Sequence, residues 1–119
     1  MAAKRQLESL IKRSILEFLI LQYPRGAFWI NRNSAAFDKS RGVFIKPKGK
    51  FEIAGVSDIF GLLDGVFIAI EVKTPENKKR PPEQVNFIEL VKSHGHCAGF
   101  VTSIDDAKDL IESYFTNKK

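Results

Sequence analysis

Apolar residues first recur along this chain with the period of a helix. Leu7, Leu10, Ile11, Ile15, Phe18 and Leu19 predict a helix from residue 4 to about 22, and Tyr23-Pro24-Arg25-Gly26 ends it. The period then shortens. Ala27-Phe28-Trp29-Ile30-Asn31-Arg32 and Val43-Phe44-Ile45 read as strands, separated by a polar stretch from Asn33 to Gly42. Lys46-Pro47-Lys48-Gly49-Lys50 reads as a basic turn or loop. Two apolar runs flank Asp64-Gly65, the strongest short hairpin signal, because a type I′ turn needs positive φ at both central residues. A second helix is expected from Pro82-Glu83 to about Ser93-His94-Gly95, with Phe87, Ile88 and Val91 inward and Val85 at the margin. Cys97-Ala98-Gly99-Phe100-Val101 reads as a strand, and Ser103-Ile104-Asp105-Asp106 as the capping box of a last helix that runs to about Phe115. Ala107, Leu110, Ile111 and Tyr114 share one face of it. Helix, strands, helix, strand, helix is the order of an α/β fold, a mixed sheet with helices packed on it.

Polar residues that interrupt these patterns carry the candidate chemistry. If Asp64 and Gly65 form a two-residue loop, Leu63 pairs with Val66, Leu62 with Phe67 and Phe60 with Ala69, and Asp58 lands opposite Glu71. Facing side chains have Cβ atoms about 4.5–5.5 Å apart, where two carboxylates repel by about 3 kcal/mol at an effective dielectric of roughly 20. A divalent cation that takes oxygen ligands would relieve that repulsion. Alternation puts Lys73 on the face of Glu71, while Ile68, Ile70 and Val72 fill the other. An interior strand with Glu71 and Lys73 at the edge of a core is a candidate site; a buried Asp–Lys–Glu ion network is the alternative.

Each neighbouring helix adds one polar residue to an inward stripe. Glu8 precedes Ile11, Ile15 and Leu19 by three, seven and eleven residues, whereas Glu17 lies across the helix and reads as solvated. Gln84 precedes Phe87, Ile88 and Val91 by three, four and seven. Both helix starts are therefore expected to converge on the hairpin carboxylates. The chemistry fits metal-assisted phosphodiester hydrolysis, with Asp58, Glu71 and the Val72 carbonyl holding Mg²⁺ or Mn²⁺ and Lys73 facing the attacking water.

Composition narrows the setting. At 119 residues and 44% hydrophobic, the chain fits one globular domain. A net charge of +5 suits a polyanionic partner. Cys97 is the lone cysteine, so no intrachain disulfide forms and a reducing, intracellular setting is expected. No apolar run approaches the ~20 residues a membrane span requires, and a soluble protein is expected. His94-Gly95-His96-Cys97 lacks the partner ligands of a structural zinc site. There are no internal repeats, phosphate-binding glycine loops or Ser-His-Asp arrangements to support other enzyme classes.

Asp58 followed by Glu71-x-Lys73 resembles the PD-(D/E)xK nuclease superfamily. Gly55-Val56-Ser57-Asp58-Ile59, Glu71-Val72-Lys73 and Pro82-Glu83-Gln84-x-x-Phe87 resemble, more narrowly, its VRR-NUC family of virus-type replication-repair nucleases. The likeness extends to the leading helix with Glu8 followed by Ile11, Ile15 and Leu19, to a strand ending in Arg32-Asn33, and to the closing Gly-x-x-x-Gly-Phe-Val-Thr-Ser segment that begins at Gly95. Ser57 stands where the superfamily name has Pro. The resemblance implies a restriction-endonuclease-like fold and an active site of Glu8, Asp58, Glu71, Lys73 and Gln84. Asp58, Glu71, Val72 and, directly or through water, Glu8 would bind the metal. It further implies a stand-alone, phage-like homodimeric Holliday-junction resolvase; a flap or branched-DNA nuclease and an inactive DNA-binding module are the alternatives. Arg32, Asn33, Lys46, Lys48, Lys50, Lys78, Lys79 and Arg80 are the candidate DNA contacts.

Overall fold

The computed structural model describes the backbone of residues 2–31, 36–38, 43–45 and 55–117, and side chains within 6–31 and 55–117. Helix α1 (Ala2–Gln22) leads into β1 (Ala27–Ile30), β2 (Ala36–Asp38), β3 (Val43–Ile45), β4 (Ile59–Leu63) and β5 (Val66–Val72). Helix α2 (Pro82–Ser93), β6 (Cys97–Val101) and α3 (Ile104–Asn117) complete the order. The main sheet runs β1-β4-β5-β6, and β2 and β3 form a separate pair. Strand β4 runs antiparallel to both its neighbours, β1 and β5, while β6 lies parallel to β5 after the α2 crossover. This is the expected mixed sheet flanked by helices.

The hairpin has the predicted register, with Leu63 opposite Val66, Leu62 opposite Phe67 and Phe60 opposite Ala69. Asp64 and Gly65 have φ of 50° and 80°, as a type I′ turn requires. Alternation along β5 then feeds two cores. On one face Ile59, Ile68, Ile70 and Val72 meet Ile15 and Leu19 of α1 and Ala107 and Ile111 of α3. On the other, Ala69 and Ala98 lie under Phe87, Ile88 and Val91 of α2, with Phe60, Phe67 and Phe100 alongside. Burying an Ile or Leu completely stabilises the fold by roughly 1.5–3 kcal/mol, so Ile15 and Leu19, both fully buried, are the main anchors of α1.

Two expectations change. Leu7 and Leu10 are 47% and 63% exposed, outside the buried stripe in which the sequence pattern put them. Leu10 precedes Ile15 by five residues, which at 3.6 residues per turn turns it about 140° away from the core. The inward line instead continues toward the N-terminus through Ile11, Lys12 and Glu8. The stretch read as polar from Asn33 to Gly42 also contains a strand, β2, whose Ala36 and Phe37 pair with Ile45 and Phe44. Two adjacent apolar residues suffice for so short a strand.

Helix ends are set by local chemistry. Gly95, at φ 83°, closes α2, with its N–H donating to the Lys92 carbonyl and that of His96 to the Val91 carbonyl, the Schellman arrangement. Ser103 Oγ accepts the Asp106 N–H at 3.0 Å, and Asp106 Oδ2 accepts from the Thr102 N–H and hydroxyl at 2.9 and 2.8 Å. These bonds hold the Asp106 carboxyl below its usual range and cap α3.

Candidate active site

The site lies where β4 begins and β5 ends. The β4–β5 ladder stops at Ile59 opposite Ile70, and the backbone at Asp58 departs from it: the Asp58 N–H donates to the Ile70 carbonyl at 3.1 Å. Asp58 Oδ2 accepts the Val72 N–H at 2.9 Å, replacing a backbone acceptor. The carbonyl of Ser57, which a continued ladder would have used, accepts instead from Asn31 Nδ2 at 3.1 Å. Asn31 N–H donates to the Asp58 carbonyl at 2.8 Å, so the end of β1 also fixes Asp58. Asp58 therefore does not simply face Glu71 across a ladder; it is held by its own side chain against the end of β5.

Gly55 shows why the turn before Asp58 has the sequence it has. Its φ is 75°, and a Cβ there would lie 2.3 Å from the Glu83 carbonyl oxygen and 2.7 Å from the Gln84 nitrogen. The first turn of α2 packs directly on this glycine, which brings Gln84 beside the segment carrying Asp58. A side chain at position 55 would push the two apart.

Glu71 and Lys73 are 5% and 6% exposed. Burial, and then the charge of Asp58, push the Glu71 carboxyl up to about 8, with Glu8 adding to the rise and Lys73 opposing it. Three of the other expected residues, Glu8, Asp58 and Lys73, are thus within electrostatic reach of Glu71. Oxygens Glu71 Oε1 and Gln84 Oε1 are buried and find no hydrogen-bond partner among the described residues. Such atoms carry a desolvation cost of about 1–3 kcal/mol each, which a ligand supplying positive charge or a donor would offset. The N–H and C=O of a strand residue point to the same edge, so the Val72 carbonyl faces the side on which Asp58 stands.

Among the described residues, no three His, Cys, Asp or Glu side chains are gathered into a ready-made metal cage. What is present is a set of hard oxygens: the Asp58 and Glu71 carboxylates and the Val72 carbonyl, with the buried Gln84 amide oxygen on the turn of α2 that packs against Gly55. That set fits Mg²⁺ or Mn²⁺, which bind through one or two carboxylates and keep several waters for substrate to replace. Repulsion between Asp58 and Glu71 does not by itself demand a metal, because two other devices relieve it here. One is the raised proton affinity of Glu71. The other is Lys12, whose Nζ lies 3.3 Å from Asp58 Oδ1.

Lys12 and Asn31 were missed by the sequence reading. Lys12 precedes Ile15 and Leu19 by three and seven residues, the same inward signal that singled out Glu8. Of the expected DNA contacts, Lys78 and Lys79 are exposed on the loop that leaves β5. Arg80 is exposed too, but its guanidinium sits 4.8 Å from the centre of the Phe100 ring and donates to the Asn77 and Lys79 carbonyls. Arg32, Asn33, Lys46, Lys48 and Lys50 lie outside the described residues. His96 Nδ1 accepts the Phe67 N–H at 3.1 Å, and burial pushes the Cys97 thiol up to about 11. No helix among the described residues is long and apolar enough to cross a membrane.

Neither a protein-family model nor a curated protein matches the chain. Its structure is similar to a solved protein described as "VRR_NUC domain protein", with a TM-score of 0.58 and 21% sequence identity over 92% of this chain and 88% of the other. A likeness of that extent at that identity establishes the fold, which is α/β and restriction-endonuclease-like.

Proposed function

We propose that the protein is a divalent-metal-dependent DNA endonuclease of the PD-(D/E)xK type, akin to the VRR-NUC nucleases, acting on branched DNA as a homodimer. The supporting observation is Glu71: a buried carboxylate beside Asp58, with an unpartnered oxygen, at the strand end that also carries Lys73. A fold shared with a VRR_NUC domain protein is consistent with it. Asp58, Glu71 and the Val72 carbonyl would hold Mg²⁺ or Mn²⁺, with Glu8 bound directly or through water. When bound, the ion supplies a Lewis acid for the phosphate and lowers the pKa of its water.

The chain's own residues do the rest. Lys73, buried beside Glu71, presents an ammonium to the charge that develops on the phosphate and orients the nucleophile. Gln84, on the turn of α2 packed against Gly55, would offer its buried, unpartnered amide oxygen to the same site. Lys78 and Lys79, on the loop that follows Lys73, contact the DNA backbone and set its position without reading bases. Preference for a four-way junction, and the paired cuts of a dimer, rest on the motif resemblance.

Labelled four-way junction, flap and linear duplex DNA, incubated with Mg²⁺, Mn²⁺ or EDTA, test the reading. Paired symmetric nicks in the junction are expected, dependent on metal and absent in Glu71→Ala. Cutting of flaps alone would replace the junction by another branched substrate. Absence of cleavage on all three, with metal-independent junction binding, would overturn the nuclease in favour of a binding module.

A further inference from the structure

Asp58 has two carboxylate oxygens, and the fold uses them differently. Oδ2 is committed to the Val72 N–H, a bond that fastens the end of β4 to β5. Oδ1 takes no backbone hydrogen bond among the described residues, and the Lys12 ammonium lies 3.3 Å from it. A divalent ion bound to that oxygen at about 2.0–2.1 Å and an ammonium in its present place would carry like charges within one small site. Lys12 stands on a flexible four-carbon stem, and its side chain is 24% exposed, so it has a route outward. Its contact with Asp58 is a single ion pair at the edge of solvent, and a phosphate would give the displaced ammonium an equivalent charged partner.

We propose that Lys12 is an exchanging counter-ion of the active site: it holds Asp58 when no metal is bound, is displaced by the incoming ion, and then contacts a phosphate of the substrate. This rests on the nuclease reading above. Without metal, Lys12 keeps the Asp58 carboxylate oriented and partly neutralised. With metal and DNA bound, its charge moves from carboxylate to phosphate, so the site gains a DNA contact only once the ion is in place. Lys12 thereby couples metal occupancy to substrate binding.

Calorimetric titration with Mn²⁺ of the wild type, Lys12→Met and Lys12→Arg is the first half of the test. Loss of the competing charge in Lys12→Met should raise Mn²⁺ affinity by about two- to fivefold, while Lys12→Arg should stay near wild type. In the second half, junction binding in Mn²⁺ is measured against salt concentration in a Lys73→Ala background, which leaves the DNA uncut. Adding Lys12→Met should lower affinity and reduce the salt slope by about one, and Lys12→Arg should preserve both. A merely structural lysine would give neither a gain in metal affinity nor a change in slope. Equal Mn²⁺ affinities, or a gain in affinity with an unchanged slope, overturn the exchange and leave the nuclease reading standing. Failure of Mn²⁺ to bind any of the three proteins overturns both.

Discussion

Glu71 shows how a single side chain can be both a liability and the centre of a site. Its pKa is pushed from 4.5 to about 8 by burial and by Asp58, so between those values the folded protein holds a proton that the unfolded chain releases. Stability of the metal-free protein must therefore fall as pH rises through that window, by at most about 1.4 kcal/mol per pH unit from this group. Denaturation in EDTA at pH 5 and pH 8 checks this: Glu71→Gln should lose that part of the slope, and an identical slope in both proteins would contradict the assignment. Lys73 is the complementary case. Replacing it by alanine should reduce cleavage by about a hundredfold or more while Mn²⁺ affinity, read by calorimetry, is kept; a fully active variant would remove Lys73 from the mechanism.

Elements matter through the places where they touch. The start of α2 sits against Gly55 so closely that a methyl group has no room, whereas Gly65, also at positive φ, has nothing within 4 Å of its missing Cβ. Gly65→Ala should cost about 1 kcal/mol, for the backbone conformation alone. Gly55→Ala adds overpacking and should cost about 2 kcal/mol or more, with a drop in Mn²⁺ affinity as Gln84 is displaced. Equal losses in urea denaturation would show that α2 yields to the intrusion at no cost. On the opposite face, α1 delivers Glu8 and Lys12 because its last three turns are pinned by Ile15 and Leu19. Its first turns carry polar residues on the inward line and leave Leu7 and Leu10 outside.

On the scale of the whole molecule, net charge and surface would decide how the proposed DNA substrate is met. A charge of +5 on 119 residues is modest for the proposed contact with branched DNA, so local placement counts for more than the total. Lys78 and Lys79 are exposed beside the site, while Arg80 is occupied by Phe100 and two carbonyls. The double substitution Lys78→Glu and Lys79→Glu should weaken junction binding and lower its salt slope by about two, with Mn²⁺ affinity unchanged. A slope equal to wild type would place the DNA elsewhere.

Much of this was legible in the residues themselves. Asp64-Gly65 dictates the turn, and the turn dictates the register, because side chains on a strand alternate with a period of two; Glu71 and Lys73 follow from it without any tertiary information. Phe87, Ile88 and Val91 likewise orient α2 and mark Gln84 as inward. Other features depended on groups distant in sequence meeting in space. Leu10 could be read as inward because a wide apolar stripe tolerates a phase error that only packing corrects. The pairing of Lys12 with Asp58 joins residues far apart in the chain: spacing from Ile15 and Leu19 marks Lys12 as inward, but not which carboxylate it meets. Gly55 belongs to the motif that precedes Asp58, but what its missing side chain makes room for shows only when α2 is laid against it. Local periodicity determined which residues could face a site; long-range packing decided which of them met, since only the folded chain brings α1, α2 and the hairpin to one point.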